Sequence, residues 1–279
     1  MNHLYNLPVT QQHLALPSGI TLAYAEFGDP AGPPVLFIHG FTDTAASWLP
    51  VLPFLQRHYR LILPDLRGHG GSSRPETGYA RADLAADLLA LIDALGLDRV
   101  DLVGHSLGSL VAQTIATTWP ERVRRVVLIS STATPEPGAE SFDLAGALAR
   151  LADPIDPDGA FMLTWFDNPN PVEPAFLAAA RQQAARMPSR LWRQILAEAL
   201  DLNGLSAALP RRAAPALLIW GGLDPLFGQR HRASLCRALP EASVQVYDNL
   251  GHNPFWEAPD AIAAAIAEFL DRPQTPKAD

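Results

Sequence analysis

Val100-Asp101-Leu102-Val103-Gly104-His105-Ser106-Leu107-Gly108-Ser109 is the stretch on which the fold reading turns. Its start is a short, mostly apolar run closed by glycine, which reads as a buried strand. Residues 106–118 read as a helix. Between the two lies a G-x-S-x-G string in the strand–turn–helix context of a nucleophile elbow. Such a turn forces the serine into an unusual backbone conformation, and the flanking glycines let helix and strand approach closely. The helix N-terminus beneath the serine offers free N–H groups and a dipole that favours developing negative charge.

Working outward, VLFI at 35–38, RLILP at 60–64 and VVLIS at 126–130 repeat the buried-strand pattern, and residues 20–27 predict an early antiparallel strand. Helix-like segments cover 45–57 and 81–95; the second carries Leu84, Leu88, Leu91, Ile92 and Leu95 on one stripe. This alternation predicts an α/β fold, a mostly parallel, doubly wound sheet covered on both faces. The rhythm breaks after Ser131. Residues 133–210 are rich in Ala, Pro and Arg and lack a strand pattern, with helices predicted over about 141–152, 158–166, 173–187 and 189–201. Strands resume at 216–220 and 243–247, with helices near 228–238 and 259–271. The organisation expected is a core built from 1–132 and 211–279, interrupted by a helical cap at 133–210, with a frayed tail from 271.

A serine hydroxyl is a poor nucleophile until a base takes its proton. The expected chain order is serine, carboxylate, histidine. ALLIW runs into Gly221-Gly222-Leu223-Asp224-Pro225, and SVQVY runs into Asp248-Asn249-Leu250-Gly251-His252. Asp224 and His252 thus both follow strands, at the edge where such sheets place ligands. The assignment is Ser106 as nucleophile, His252 as base and Asp224 as the acid that orients it. Asp248 is the second candidate acid but lies too near His252 in sequence. The oxyanion hole is assigned to the N–H groups of Leu107 and Phe41, with Thr42 as the alternative to Phe41. His39 reads as a buried histidine bonded to backbone under that loop.

Together HGF at 39–41, DLRGHGGSS at 65–73, GHSLG at 104–108, GGLDP at 221–225 and GHNPFWEAP at 251–259 resemble the α/β-hydrolase superfamily. Among its members the chain is similar to cap-bearing esterases, enol-lactonases, carbon–carbon bond hydrolases and cofactor-free haloperoxidases. The resemblance implies cleavage of a small to medium, apolar ester or lactone through an acyl-enzyme. It also leaves open carbon–carbon bond hydrolysis or perhydrolysis, and a slow-turnover receptor or signalling role. Serine rather than aspartate at 106 departs from dehalogenases and most epoxide hydrolases. Ser109 stands where relatives often carry a second glycine.

The composition sets further bounds. With 279 residues, 48% of them hydrophobic and 18% charged, the chain reads as an ordinary globule. A net charge of −8 argues against nucleic acid and anionic membrane surfaces as partners. No apolar run approaches the roughly 18 residues of a membrane helix, and the N-terminus shows no secretory pattern. Cys236 is the single cysteine, so a reducing, cytoplasmic setting is the expectation. The eight histidines show no ligand spacing, so no metal is expected. No G-x-G-x-x-G follows a strand, so no dinucleotide cofactor is expected. Asp65 and Arg67 read as local turn contacts. Trp48 and Trp256 read at least as readily as core. Arg181, Arg186, Arg190 and Arg193 read as surface helix charge. Phe161, Met162, Trp165, Phe166, Phe176 and Trp192 are left unsorted between cap packing and pocket lining.

Overall fold

Apolar β-type runs separated by helices pair into one sheet. The computed structural model describes residues 11–134, 143–201 and 214–273. Its eight strands are β1 (Gln12–Ala15), β2 (Thr21–Gly28), β3 (Pro34–Ile38), β4 (Arg60–Pro64), β5 (Val100–His105), β6 (Val123–Ile129), β7 (Ala216–Gly221) and β8 (Ser243–Tyr247). They lie in the order β1-β2-β4-β3-β5-β6-β7-β8. The first two pair antiparallel, β2 with β4 as well, and the remaining strands run parallel.

The order positions the site. From β3 the chain goes outward to β4, then returns to the other side of β3 as β5. Loops leaving β3 and β5 therefore diverge, and a crevice opens between them at the carboxyl edge of the sheet. β3 to β7 are mostly apolar and largely buried, as strands covered on both faces must be, and the charged Asp101 of β5 and Arg124 of β6 pair with each other.

The helices are α1 (Leu52–Leu55), α2 (Arg81–Ala94), α3 (Leu107–Thr118), α4 (Leu144–Arg150), α5 (Ala160–Trp165), α6 (Pro174–Ala185), α7 (Ser189–Glu198), α8 (Gln229–Ala238), α9 (Pro254–Glu257) and α10 (Pro259–Leu270). The helix predicted over 45–57 is instead a 3₁₀ turn at Ala45–Trp48 followed by short α1. Pro50 and Pro53 withhold the amide donors that a continuous helix would need. β1 escaped the sequence reading because an exposed edge strand needs no apolar run. β6 starts at Val123, ahead of its predicted start at 126.

Helices α4 to α7 lie between β6 and β7, where no strand was predicted. Parts of the range 133–210 (135–142 and 202–210), and the tail from 274, lie outside the described residues. No helix among the described residues is long and apolar enough to cross a membrane.

Candidate active site

Ser106 sits between β5 and α3 with φ 50° and ψ −117°, a region that side-chain-bearing residues rarely adopt. The two glycines explain how this turn is tolerated. A Cβ at Gly104 would lie 2.4 Å from the Gly108 carbonyl oxygen, and one at Gly108 would lie 2.1 Å from that of Ile38. No heavier residue fits at either place. Ser109 contributes more than small size: its hydroxyl donates to the Ser106 carbonyl at 2.5 Å and lies 2.6 Å from Ser131 Oγ, from which it accepts.

Asp224 follows β7 and His252 follows β8. The two loops touch because Gly221 and Gly222 have no side chain: a Cβ at Gly221 would lie 2.1 Å from the Gly251 carbonyl oxygen. His252 Nδ1 lies 2.9 Å from Asp224 Oδ2. The other carboxylate oxygen accepts from the amides of Leu226 at 2.8 Å and Phe227 at 3.0 Å. Burial pushes the Asp224 carboxyl up, but the His252 charge and its hydrogen bond, with those amides, outweigh burial and hold it below its ordinary value. A carboxylate only accepts, so Nδ1 carries the proton and Nε2 keeps a lone pair. Asp224 is thus the carboxylate bonded to His252; Asp248 makes no such bond. Ser106 and His252 face one cavity of about 800 Å³, with no hydrogen bond joining their side chains.

The loop after β3 forms the opposite wall. Neither the Phe41 nor the Leu107 amide is spent on a turn or cap hydrogen bond. Thr42 has φ 75°, unusual for a β-branched residue, and its hydroxyl accepts from the Trp165 indole at 2.9 Å. His39 is fully buried below this loop. Its Nε2 accepts from the Leu66 amide at 3.0 Å, and its Nδ1 lies 2.8 Å from the Gly40 carbonyl oxygen. Burial depresses its pKa, and an imidazole with both nitrogens so occupied is structural.

Two contacts were invisible in the sequence. His105 Nε2 and Ser130 Oγ both donate to the His252 carbonyl oxygen, at 3.0 and 2.7 Å. The only local hints are the histidine beside the serine and the residue ending the next strand, and neither implies a shared acceptor.

The structure sorts the aromatic side chains. Trp165 and Phe166 line the cavity with Leu196, Leu200, Leu226 and Phe227. Met162 and Trp192 are buried, and Phe161 stacks on Trp165. Trp48 is core, stacked on Phe255, whereas Trp256 both lines the cavity and donates to the Ser47 carbonyl. Arg181 pairs with Asp158 and Arg193 binds the Leu148 and Leu151 carbonyls; none of the four arginines lines this cavity. Asp65 accepts from the Gly71 amide within its own turn and from the Ala45 amide of the loop after β3, and Arg67 grips Asp87 on α2 through two nitrogens, so their contacts are not only local: both residues tie the turn after β4 to neighbouring elements. Among the described residues, no group of three or more His, Cys, Asp or Glu side chains is arranged to hold a metal ion.

Residues 33–259 match the family model described as alpha/beta hydrolase fold. The chain is 28% identical over 261 residues to 3-oxoadipate enol-lactonase 2 of Acinetobacter baylyi, covering 91% of this chain and 94% of that one. A hydrolase structure from Pseudomonas aeruginosa superposes with a TM-score of 0.82 at 28% identity, covering 94% of this chain and 99% of the other. An esterase from a Rhodococcus species does so with a TM-score of 0.79 at 25% identity, covering 93% and 98%. The eight-stranded sheet, its switch point and these likenesses agree: the chain belongs to the α/β-hydrolase family and is a hydrolase.

Proposed function

We propose that the protein cleaves a small to medium, uncharged carboxylic ester or lactone, with Ser106 as nucleophile, His252 as base and Asp224 as its orienting acid. The observation that carries this reading is the 2.9 Å bond between His252 Nδ1 and Asp224 Oδ2, which leaves Nε2 bare in a cavity shared with Ser106. Ser106 Oγ attacks the carbonyl carbon as its proton passes to His252 Nε2. The oxyanion meets the N–H groups of Phe41 and Leu107. Collapse expels the alcohol, which takes the proton from His252, and water repeats the sequence to free the acid. No metal or cofactor is required by these steps.

Substrate class follows from the lining. Trp165, Phe166, Leu196, Leu200, Leu226 and Phe227 supply apolar surface, while the charged carboxylates on the wall are Asp43, Asp143 and Asp167. No Lys or Arg lies among the described lining residues. An anionic acyl group would lose its hydration and meet like charge there. We assign α4 to α7 as a cap over this cavity, which limits chain length. The test is a series of p-nitrophenyl esters of increasing length, with Ser106→Ala as control. Turnover should peak at short to medium chains and vanish in the variant. Preference for long insoluble chains, or turnover that survives Ser106→Ala, would overturn the reading.

A further inference from the structure

We propose that the segment from Trp165 to Asn170 is a positioning strap, which sets the loop carrying His252 against the loop carrying Phe41. The proposal rests on the ester-hydrolase reading above. The segment leaves the end of α5 and runs toward α6, and residues 164–169 all line the cavity that Ser106 and His252 face. Its two ends reach opposite walls of that cavity. At the near end the Trp165 indole N–H donates to Thr42 Oγ1 at 2.9 Å, one residue beyond the amide assigned to the oxyanion. The Trp165 ring also meets the Phe41 ring edge-on, with centroids 6.1 Å apart.

At the far end consecutive residues grip the loop of the proposed base. Asn168 Oδ1 accepts from Asn253 Nδ2 at 3.1 Å. Pro169 lies on Gly251, where an added Cβ would be 2.5 Å from Pro169 Cδ. Asn170 Nδ2 donates to the Asn249 carbonyl oxygen and to Glu257 Oε2, both at 2.6 Å. The other oxygen of Glu257 accepts from the Gly251 amide at 2.8 Å. Glu257 therefore ties the strap to the residue before His252, and Asn253 ties it to the residue after.

Residues 166–173 form neither helix nor strand, so these side-chain bonds fix the path of the strap. His105 and Ser130 hold the His252 carbonyl oxygen from below, while the strap holds the residues on either side of His252 from the cavity. Attack by Ser106 needs His252 Nε2 and the oxyanion donors at a fixed separation, and a displacement of about 1 Å can cost about a hundredfold in rate. Asn170 and Glu257 are not among the residues lining the cavity. They act through the strap, as positioning residues.

The test changes residues away from the cavity and reads rate apart from binding. Glu257→Gln keeps the shape and the acceptor for the Gly251 amide but turns a donor toward Asn170. Asn170→Ala removes the other partner. Both residues are half-buried, so the substitutions leave the core intact. The probe is ethyl p-nitrophenyl butylphosphonate. Ser106 Oγ bonds to its phosphorus, p-nitrophenolate leaves, and the serine proton passes to His252. The inactivation rate at saturation should fall about tenfold in each variant, with the inhibition constant within about twofold of wild type. The double variant should react no more slowly than Asn170→Ala alone, because both changes break one bond. Trp165→Phe keeps a ring but loses the donor to Thr42, and should slow inactivation to a similar degree. An unchanged rate in any single variant, an inhibition constant that rises as far as the rate falls, or losses that multiply in the double variant would overturn the proposal. Failure of the hydrolase reading shows separately: the wild type would release no p-nitrophenolate and Ser106 would carry no adduct.

Discussion

His105 Nε2 lies 3.0 Å from the carbonyl oxygen of His252, so the residue preceding Ser106 holds the main chain of the proposed base. A carbonyl oxygen only accepts, which places the proton on Nε2 and leaves Nδ1 bare. That nitrogen is buried without a hydrogen-bond partner, 3.7 Å from Asp43 Oδ2, and burial depresses the pKa of the ring. The proposed nucleophile and base are thereby coupled through one side chain. His105→Leu should lower kcat about tenfold, the effect of about 1.4 kcal/mol, with KM little changed. His105→Gln, which restores a donor, should recover most of the loss. Steady-state kinetics on a short p-nitrophenyl ester, well below the melting temperature, checks this. Equal losses in both variants would show that the hydrogen bond is irrelevant.

Asp224→Asn should reduce kcat by on the order of 10³–10⁴. The Leu226 and Phe227 amides donate to one carboxylate oxygen, so they would hold the Asn carbonyl oxygen. The Asn amide group would then face His252 Nδ1 as a donor and force the ring proton onto Nε2, where the base must be bare. Inhibition rates with a fluorophosphonate should fall in parallel. Near-normal labelling would remove Asp224 from the proposed mechanism.

Gly108→Ala should destabilise the fold by about 3 kcal/mol or more, because its Cβ would meet the backbone oxygens of Ile38 and His39 at 2.1 and 2.5 Å. Gly96→Ala is the contrasting case. Gly96 has φ 66° but open space around it, so only backbone strain of about 1 kcal/mol is at stake. Urea denaturation of the two variants should separate them clearly, and similar midpoints would refute the packing account.

Acid should weaken the fold from just below neutrality. His69 is buried, and burial pushes its pKa down to about 3; His39 and His105 shift the same way for the same reason. Between about 6.5 and those depressed values the unfolded chain binds protons that the native rings refuse. Stability therefore falls as pH drops through that window, by up to about 1.4 kcal/mol per pH unit for each ring. Asp101, whose carboxyl burial raises, works in the opposite direction at lower pH. Urea midpoints measured from pH 7 to pH 5 should decline, and His69→Gln should make the decline shallower. A flat profile would contradict the burial account.

Much of this molecule is written in short-range pattern. Short, mostly apolar runs mark β3, β4, β5 and β7 because a strand covered on both faces must be largely apolar. Gly104 and Gly108 flag the turn at Ser106 because any Cβ there collides with backbone. Asp224 and His252 stand just beyond strand ends, so the parallel topology alone carries them to the same edge. The sequence weakens where neighbours in space are distant in the chain. It left Phe161, Trp165, Phe166, Phe176 and Trp192 as one unsorted set. An aromatic side chain is equally apolar whether it fills a helix interface or faces a cavity, and only helix placement separates the two.

The chain by itself determined the strand alternation, the turn at Ser106 and the order in which serine, aspartate and histidine follow their strands, since each depends on sterics and periodicity within a few residues. Only the tertiary structure decided that Asp224 rather than Asp248 bonds His252, that His105 and Ser130 share one carbonyl, and that the chain from Trp165 to Asn170 reaches both Thr42 and Asn253. Those relations join residues up to 147 positions apart, and hydrogen bonds act over about 3 Å, so nothing short of the folded packing can set them.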